Sequence, residues 1–216
     1  VWKMTVGTPE EYIPSALFCR GDLPVEEIGD TGRSFPSGPV TCRIDGRGVL
    51  LEIPAGPDEH FYGCGLQLHS FEQTGGKKTL KVNSDPAGDR GDSHAPVPFY
   101  VSTAGYGILI DTFRQASFYF GSIHKKDERT QQESGTGQSP VDSVNDLYND
   151  GGATGRVTVE IPRCEGVNIF LFRGESIKEA VALYNRFCGG GCLPPMWGLG
   201  NWYRCHSRAG QREVRG

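Results

Sequence analysis

The sequence predicts a mainly β protein with the architecture of an antiparallel sandwich. Short runs in which apolar and polar residues alternate recur along the chain, separated by turn residues, and this is typical of a two-sheet fold. Glycine (31 residues) and proline (14 residues) are frequent, as expected for a chain with many turns and few helices. A length of 216 residues suits one all-β domain, or one domain with part of a second.

The strand pattern begins at residue 40. Residues 1–38 contain several prolines and glycines and are expected to be irregular. Asp45-Gly46 lies between two apolar runs, which is a strong hairpin signal. Residues 125–146 are so polar that we expect a mobile or long surface excursion there. The glycines of Phe61-Tyr-Gly-Cys-Gly65 indicate close approach of the backbone to another element. We predict strands at residues 40–44, 48–53, 61–66, 79–82, 99–102, 106–111, 117–120, 156–161 and 167–172.

A polar loop followed by a hairpin is the most informative stretch of the chain. Residues 83–96, which we call the acidic loop, are rich in glycine and carry Asp85, Asp89 and Asp92. Prolines restrict the backbone of this loop, which argues against simple disorder. Three carboxylates on a stiffened loop can hydrogen-bond sugar hydroxyls, bind a cation, or simply face water. The hairpin after the loop should turn at Ala104-Gly105, with one set of side chains on one face: Tyr106, Ile108 and Ile110.

One α-helix is predicted, at residues 176–187. Ser176 and Glu179 form a capping box, in which the two side chains satisfy amides of the first turn. Gly189-Gly-Gly191 ends the helical spacing, and the prolines that follow prevent its continuation. The apolar run at residues 196–202 is interpreted as a strand. We therefore expect a sandwich domain at residues 1–190, with a linking helix at 176–188, and the start of a second domain at residues 191–216.

Charge and cysteine content argue against several functions. A net charge of −4 gives no electrostatic reason to expect nucleic acid or an anionic membrane as partner, and no apolar run approaches the roughly 20 residues that span a bilayer. Seven scattered cysteines without an Asn-X-Ser/Thr site predict reduced thiols and a cytoplasmic location. Cys188 and Cys192 form the one close pair, but no second cysteine or histidine pair supports a metal site. No metal or cofactor is predicted.

The order of several motifs resembles the N-terminal part of glycoside hydrolase family 31, the α-glucosidase and α-xylosidase family. Each motif alone is weak, whereas together, in the order of the family, they are specific, and they cover about residues 40–210. The matching pieces are Phe61-Tyr-Gly-Cys-Gly65, Gln73-Thr-Gly-Gly-Lys77, Asn83-Ser-Asp85, Pro98-Phe-Tyr-Val-Ser102, Gly105-Tyr-Gly-Ile-Leu-Ile-Asp111, Gly174-Glu-Ser-Ile-Lys-Glu-Ala-Val-Ala-Leu-Tyr184 and Leu193-Pro-Pro-Met-Trp-Gly-Leu-Gly200.

This resemblance implies a fold and a reaction. The fold is a sandwich of the galactose-mutarotase type, a linking helix, and the first strand of a (β/α)8 barrel that is truncated here. The reaction is the hydrolysis of α-linked sugars with retention, in which one carboxylate attacks the anomeric carbon and a second acts as acid and then as base. In the family both carboxylates lie well inside the barrel. The resemblance therefore assigns no catalytic residue to this chain, which would act together with the remainder of its barrel.

The resemblance also suggests substrate-binding residues. In the family an aspartate of an Asn-X-Asp pattern binds substrate hydroxyls, and here that residue is Asp85. The alternative is that the Asp85 carboxylate caps a turn by accepting a backbone amide near Ala87. Trp202 and Arg204 follow the barrel-entry motif. An indole such as that of Trp202 can stack on a sugar ring, although its place on a barrel strand favours core or pocket-floor packing. Arg204 would lie near the C-terminal end of that strand, where barrel active sites are built. Asp89 and Asp92 match no family position and are expected to face water.

Three functions remain open at this stage. The first is a fragment of an exo-α-glycosidase that acts on an α-linked oligosaccharide or glycoside. The second is a free-standing carbohydrate-binding sandwich, which does not explain the barrel-entry motif. The third is a mutarotase-like sugar epimerase, which needs a histidine and a glutamate as acid and base on one concave sheet.

Overall fold

Two β-sheets face each other, and one α-helix covers the outer face of the larger sheet. The computed structural model describes residues 1–10, 23–27, 38–67, 70–86, 90–121, 155–191 and 194–200. The strand pairs are antiparallel except for two short parallel ones. The predicted mainly β, mostly antiparallel architecture is therefore confirmed, whereas the polar segment at residues 125–146 lies outside the described residues.

The larger sheet, called the first sheet, has six strands. Its central hairpin pairs Ile108 with Tyr100, and its turn is closed by a hydrogen bond from the Gly105 amide to the Ser102 carbonyl (3.0 Å). The hairpin and its turn at Ala104-Gly105 were predicted. The strands are numbered in their order along the chain. Their order across the sheet is β2 (Glu26–Glu27), β1 (Trp2–Gly7), β13 (Gly166–Arg173), β10 (Tyr106–Asp111), β9 (Phe99–Ser102) and β5 (Phe61–Gly63).

The second sheet has five strands. The Asp45-Gly46 turn joins two of them, with Thr41 opposite Glu52 at the open end of the hairpin. In order across the sheet the strands are β3 (Thr41–Asp45), β4 (Gly48–Pro54), β12 (Arg156–Pro162), β11 (Ser117–Phe120) and β6 (Lys77–Thr79). A separate two-stranded parallel ribbon consists of β7 (Lys81–Val82) and β8 (Asp92–Ser93).

Alternate side chains of the two sheets fill the space between them. On β10 the predicted set of Tyr106, Ile108 and Ile110 is fully buried, and it packs in one cluster with inward residues of the second sheet such as Leu51 and Phe118. Each such aliphatic or aromatic side chain contributes about 1.5–3 kcal/mol when it leaves water. Each sheet supplies only one face to this core. The alternation of apolar and polar residues along a strand therefore indicates which side chains are buried.

The helix α1 (Ile177–Phe187) packs on the outer face of the first sheet. Ser176 is its N-cap and accepts a hydrogen bond from the Glu179 amide (3.3 Å), while the Glu179 carboxylate accepts one from the Glu175 amide (2.8 Å). The Tyr184 ring stacks on Phe99 with centroids 3.8 Å apart. The predicted helix and its capping serine are confirmed.

Residues 1–38 were predicted to be irregular, and this is wrong for residues 2–7. Trp2–Gly7 forms β1, an inner strand of the first sheet that pairs with β13 over its whole length. Trp2, Met4 and Val6 alternate with polar residues and pack against the core. The alternation was present in the sequence, but it lies upstream of the prolines and glycines that made the region look irregular as a whole.

The predicted strand at residues 196–202 is also not observed. Met196–Leu199 forms a 3-10 helix, which the Gly198 amide closes by donating to the Pro195 carbonyl (2.7 Å). The side chains of Met196 and Trp197 are exposed, and among the described residues this run has no strand to pair with. The local turn preference after Pro194-Pro195 therefore sets the backbone conformation of this run.

Candidate functional site

The acidic loop begins directly after β7 and contains β8. These strands pair in parallel, with Val82 opposite Ser93, and the Asn83 amide donates to the Ser93 carbonyl (2.9 Å). The Thr79 amide donates in addition to the Arg90 carbonyl (2.7 Å). The base of the loop is thus tied to the edge of the second sheet by main-chain hydrogen bonds.

Asn83 holds the two sides of the loop together. Its side-chain Nδ2 donates to Asp92 Oδ2 (2.8 Å), and its Oδ1 accepts from the Asp85 backbone amide (3.0 Å). The second bond is an Asx turn, in which the side chain of one residue binds the amide two residues later. One amide side chain therefore links the start of the loop, including the turn at Asp85, with the strand β8.

A second cross-loop contact lies next to the first. His94 Nε2 lies 2.6 Å from the Ser84 carbonyl oxygen, and because that oxygen can only accept, Nε2 carries the proton. Sequence reasoning gave His94 no role, since it has no partner at a recognisable spacing. The structure makes it a support for the same turn that presents Asp85.

Asp85 lies on the exposed outer side of this turn. Within the part of the chain that the structure describes, its carboxylate accepts no hydrogen bond and forms no ion pair. The turn is capped by the side chain of Asn83, whereas Ala87, the alternative partner considered for Asp85, lies outside the described residues. An exposed carboxylate on a fixed backbone has both oxygens available as acceptors for sugar hydroxyls.

The expectation that Asp92 faces water is wrong. Its carboxylate is engaged by Asn83, and this hydrogen bond, with the nearby positive charges of Lys81 and Arg90, lowers the pKa of Asp92. The motif search missed this role because the two residues are nine positions apart, a separation that only the folded loop brings together. Asp89, Trp202 and Arg204 lie outside the described residues.

A crossing of two backbones anchors the far end of the loop. The Leu66 amide donates to the Ala95 carbonyl (3.0 Å) and the Cys64 amide to the Phe99 carbonyl (2.8 Å). Gly65 has a φ of +78°, and a Cβ at this position would lie 2.1 Å from the Ala95 carbonyl oxygen. Only glycine permits so close an approach, which confirms the interpretation of the Phe61–Gly65 motif.

A histidine and a glutamate do lie together, at the edge of the first sheet. His60 Nδ1 is 2.5 Å from Glu72 Oε1, both side chains are about half exposed, and this bond lowers the pKa of Glu72. An epimerase needs its acid and its base free to act on the substrate. In this pair each group is occupied by the other, so the geometry does not favour epimerase chemistry.

A shallow groove of about 280 Å³ lies on the outer face of the second sheet. Its lining includes Arg43, Leu50, Ser117 and Glu160, and Glu160 accepts a hydrogen bond from the Tyr119 hydroxyl (2.7 Å). The groove is open and has a mixed polar and apolar lining, and neither strand of the ribbon at the base of the acidic loop contributes to it.

The described residues contain no group of three or more histidine, cysteine or acidic side chains placed to hold a metal ion. Cys188 is a free thiol, and Cys192 lies outside these residues. No helix in the described part of the chain is long and apolar enough to cross a bilayer.

Sequence comparison places this geometry in a family context. Residues 21–118 match the family model of the glycosyl hydrolase 31 N-terminal galactose mutarotase-like domain. The α-xylosidase XylQ of Lactiplantibacillus pentosus is 25% identical to this chain over 151 residues. That alignment covers 70% of this chain and 16% of XylQ.

Structural comparison finds the same fold in a solved enzyme. The GH31 dextranase FjDex31A of Flavobacterium johnsoniae, in complex with isomaltotriose, superposes with a TM-score of 0.54 at 20% identity. The match covers 74% of this chain and 16% of the dextranase, and the glucose complex of the same enzyme gives the same values. The chain thus spans about a sixth of the length of the relatives it matches. The resemblance to glycoside hydrolase family 31 is confirmed.

Proposed function

We propose that this chain forms the N-terminal part of a retaining exo-α-glycosidase and contributes the acidic loop to the substrate-binding site. The family resemblance is the premise, and in that family the two catalytic carboxylates belong to a barrel that this chain does not contain. The partner of the chain is then the remainder of its own barrel. No residue of the chain is assigned a catalytic role.

The proposal rests on the exposed carboxylate of Asp85 and on the hydrogen-bonded turn that bears it. Its carboxylate is exposed and unengaged among the described residues, while the backbone that bears it is held by Asn83 and by the neighbouring His94–Ser84 contact. A carboxylate fixed in this way binds a hydroxyl pair without first losing a partner or ordering a loop, both of which would reduce affinity.

The substrate class follows from the relatives. XylQ is named as an α-xylosidase and FjDex31A as a dextranase, so we propose an α-linked oligosaccharide or glycoside as substrate. Trp202 and Arg204, which follow the barrel-entry motif, are proposed to line the same site from the barrel side. An indole face would stack on a sugar ring and a guanidinium would donate to its hydroxyls.

The cytoplasm is proposed as the location of the enzyme. Four cysteines at described positions, namely Cys42, Cys64, Cys164 and Cys188, are free thiols. Two of them, Cys64 and Cys164, are buried, and burial raises the pKa of the Cys64 thiol to about 12. Thiols of this kind are unreactive packing groups, as is usual for a protein that folds in a reducing compartment.

The experiment compares the full-length enzyme with its Asp85→Ala variant on a panel of aryl α-glycosides. We expect kcat/KM to fall about tenfold to a hundredfold, because a charged hydrogen-bond partner contributes about 1.5–3 kcal/mol. Asp58→Ala is the matched control, since Asp58 is an exposed aspartate on a turn away from the loop, and it should leave kcat/KM unchanged. The 216-residue chain alone should hydrolyse none of these substrates.

Two results would reject the proposal. One is turnover by the isolated chain that a substitution within residues 1–216 abolishes. The other is an Asp85→Ala enzyme with unchanged kcat/KM and a lower melting temperature, which would assign Asp85 to the support of a turn.

A further inference from the structure

The two described aspartates of the acidic loop are in different states. Asp85 is exposed, whereas Asp92 is partly buried and its Oδ2 lies 2.8 Å from Asn83 Nδ2. Asp92 belongs to β8, and its neighbour Ser93 is buried. The carboxylate of Asp92 is therefore held by Asn83 beside the ribbon, while that of Asp85 is exposed on the turn.

The side-chain amide of Asn83 connects Asp92 with the backbone of Asp85. A side-chain amide has one donor end and one acceptor end, and its hydrogen-bonding partners determine which of its two orientations is favoured. The ionised Asp92 carboxylate can only accept, so it requires the Nδ2 end of Asn83. The Oδ1 end then points toward the Asp85 backbone amide, which can only donate, and accepts from it at 3.0 Å. The opposite orientation would set two acceptors against each other at Asp92 and two donors against each other at Asp85.

We infer that Asp92, acting through Asn83, is the positioning residue that holds the Asp85 backbone in its turn and so directs the Asp85 carboxylate outward. The effect of Asp92 on the Asp85 backbone follows from the loop geometry alone. Its effect on catalysis rests on the proposed function. Asp92 touches no substrate in this account. Its effect reaches the substrate only through the position of Asp85.

The chain offers a graded set of variants. Asp92→Ala removes the acceptor and leaves the Asn83 amide free to turn. Asp92→Asn keeps an acceptor oxygen but adds a donor, so it should retain the turn in part. Asp58→Ala is again the control, because it removes an exposed aspartate outside the loop.

The first readout is hydrogen exchange of the Asp85 backbone amide, followed by NMR in the 216-residue chain. We expect Asp92→Ala to speed this exchange about threefold to tenfold, Asp92→Asn to speed it less, and Asp58→Ala to leave it unchanged. Unchanged exchange in Asp92→Ala overturns the inference whatever the enzyme does.

The second readout is kcat/KM of the full-length enzyme on an aryl α-glycoside, with a double variant. Asp92→Ala should lower kcat/KM about threefold to tenfold, and the Asp85→Ala/Asp92→Ala enzyme should match Asp85→Ala alone, because Asp92 acts only through Asp85. Effects that multiply in the double variant would overturn the inference, since Asp92 would then act on its own. If Asp85→Ala leaves kcat/KM unchanged, the proposed function fails instead, and the exchange experiment alone decides the role of Asp92.

Discussion

The acidic loop and the helix-covered face of the first sheet are held in place by different forces. On the helix-covered face Phe170 and Phe172 are buried against α1, and the ring of Phe172 meets the Phe187 ring edge-on at 5.3 Å. At the tip of the loop the described contacts are two side-chain hydrogen bonds of Asn83 and one of His94. Apolar burial supplies most of the free energy of folding, whereas a few polar bonds near the surface fix a position with little effect on stability. Substitutions in the two regions should therefore affect different properties.

The largest effect is expected on the helix-covered face. Phe172→Ala should lower the free energy of unfolding by about 3–5 kcal/mol, because Phe172 is fully buried and its ring also packs against Phe99 and Tyr184. Urea denaturation of the 216-residue chain measures the change. Phe71→Ala is the control, since Phe71 is 85% exposed, and it should cost no more than about 0.5 kcal/mol. Equal losses in the two variants would contradict the account.

An intermediate effect is expected where the two regions join. Gly65→Ala places a Cβ against the Ala95 carbonyl and also forces a non-glycine residue to a φ of +78°. Gly75 has almost the same φ, +75°, but a Cβ there meets nothing within 4 Å. Gly75→Ala should therefore show only the cost of the backbone conformation, about 1–3 kcal/mol, and Gly65→Ala more. Urea denaturation of both variants gives the difference, and equal costs would mean that the crossing at Ala95 relaxes freely.

The smallest effect is the pH dependence of the hydrogen bond between Asn83 and Asp92 in the acidic loop. The Asn83 hydrogen bond lowers the pKa of Asp92, so its contribution is complete above the ordinary aspartate pKa of about 3.9 and is lost as the pH falls through the lowered value. The side-chain amide resonances of Asn83 should therefore shift only below about pH 3.9. The control is Asp92→Asn, in which this inflection should vanish. An inflection at or above the ordinary pKa would show that the bond does not favour the ionised form.

The sequence predicted the regular parts of the fold because one strong rule governs each of them. Alternation on β10 identified Tyr106, Ile108 and Ile110 as core residues, and Ser176 with Glu179 marked the start of α1. The strand β1 was missed because nearby prolines and glycines outweighed the alternation of Trp2, Met4 and Val6. The run at Met196–Leu199 forms a 3-10 helix because a strand needs partners, and an apolar pattern does not reveal whether they are present.

The candidate site was predictable only in part, for a related reason. The Asn83-Ser-Asp85 motif pointed to Asp85 through a family resemblance. The contacts of Asn83 with Asp92 and of His94 with the Ser84 carbonyl join positions nine and ten residues apart. No periodicity or motif encodes such pairs, because they exist only once the parallel ribbon of β7 and β8 has formed.

The central claim is that the Asp85 carboxylate binds a sugar hydroxyl, and a substrate series with single hydroxyls removed tests it directly. The effect of Asp85→Ala on kcat/KM is measured in the full-length enzyme for the parent aryl α-glycoside and for each monodeoxy analogue. The account predicts a loss of about tenfold to a hundredfold for the parent, and almost no loss for the analogue that lacks the hydroxyl bound by Asp85, because that contact is already absent. The same factor for every analogue would contradict the account, because Asp85 would then act without touching a hydroxyl of the substrate.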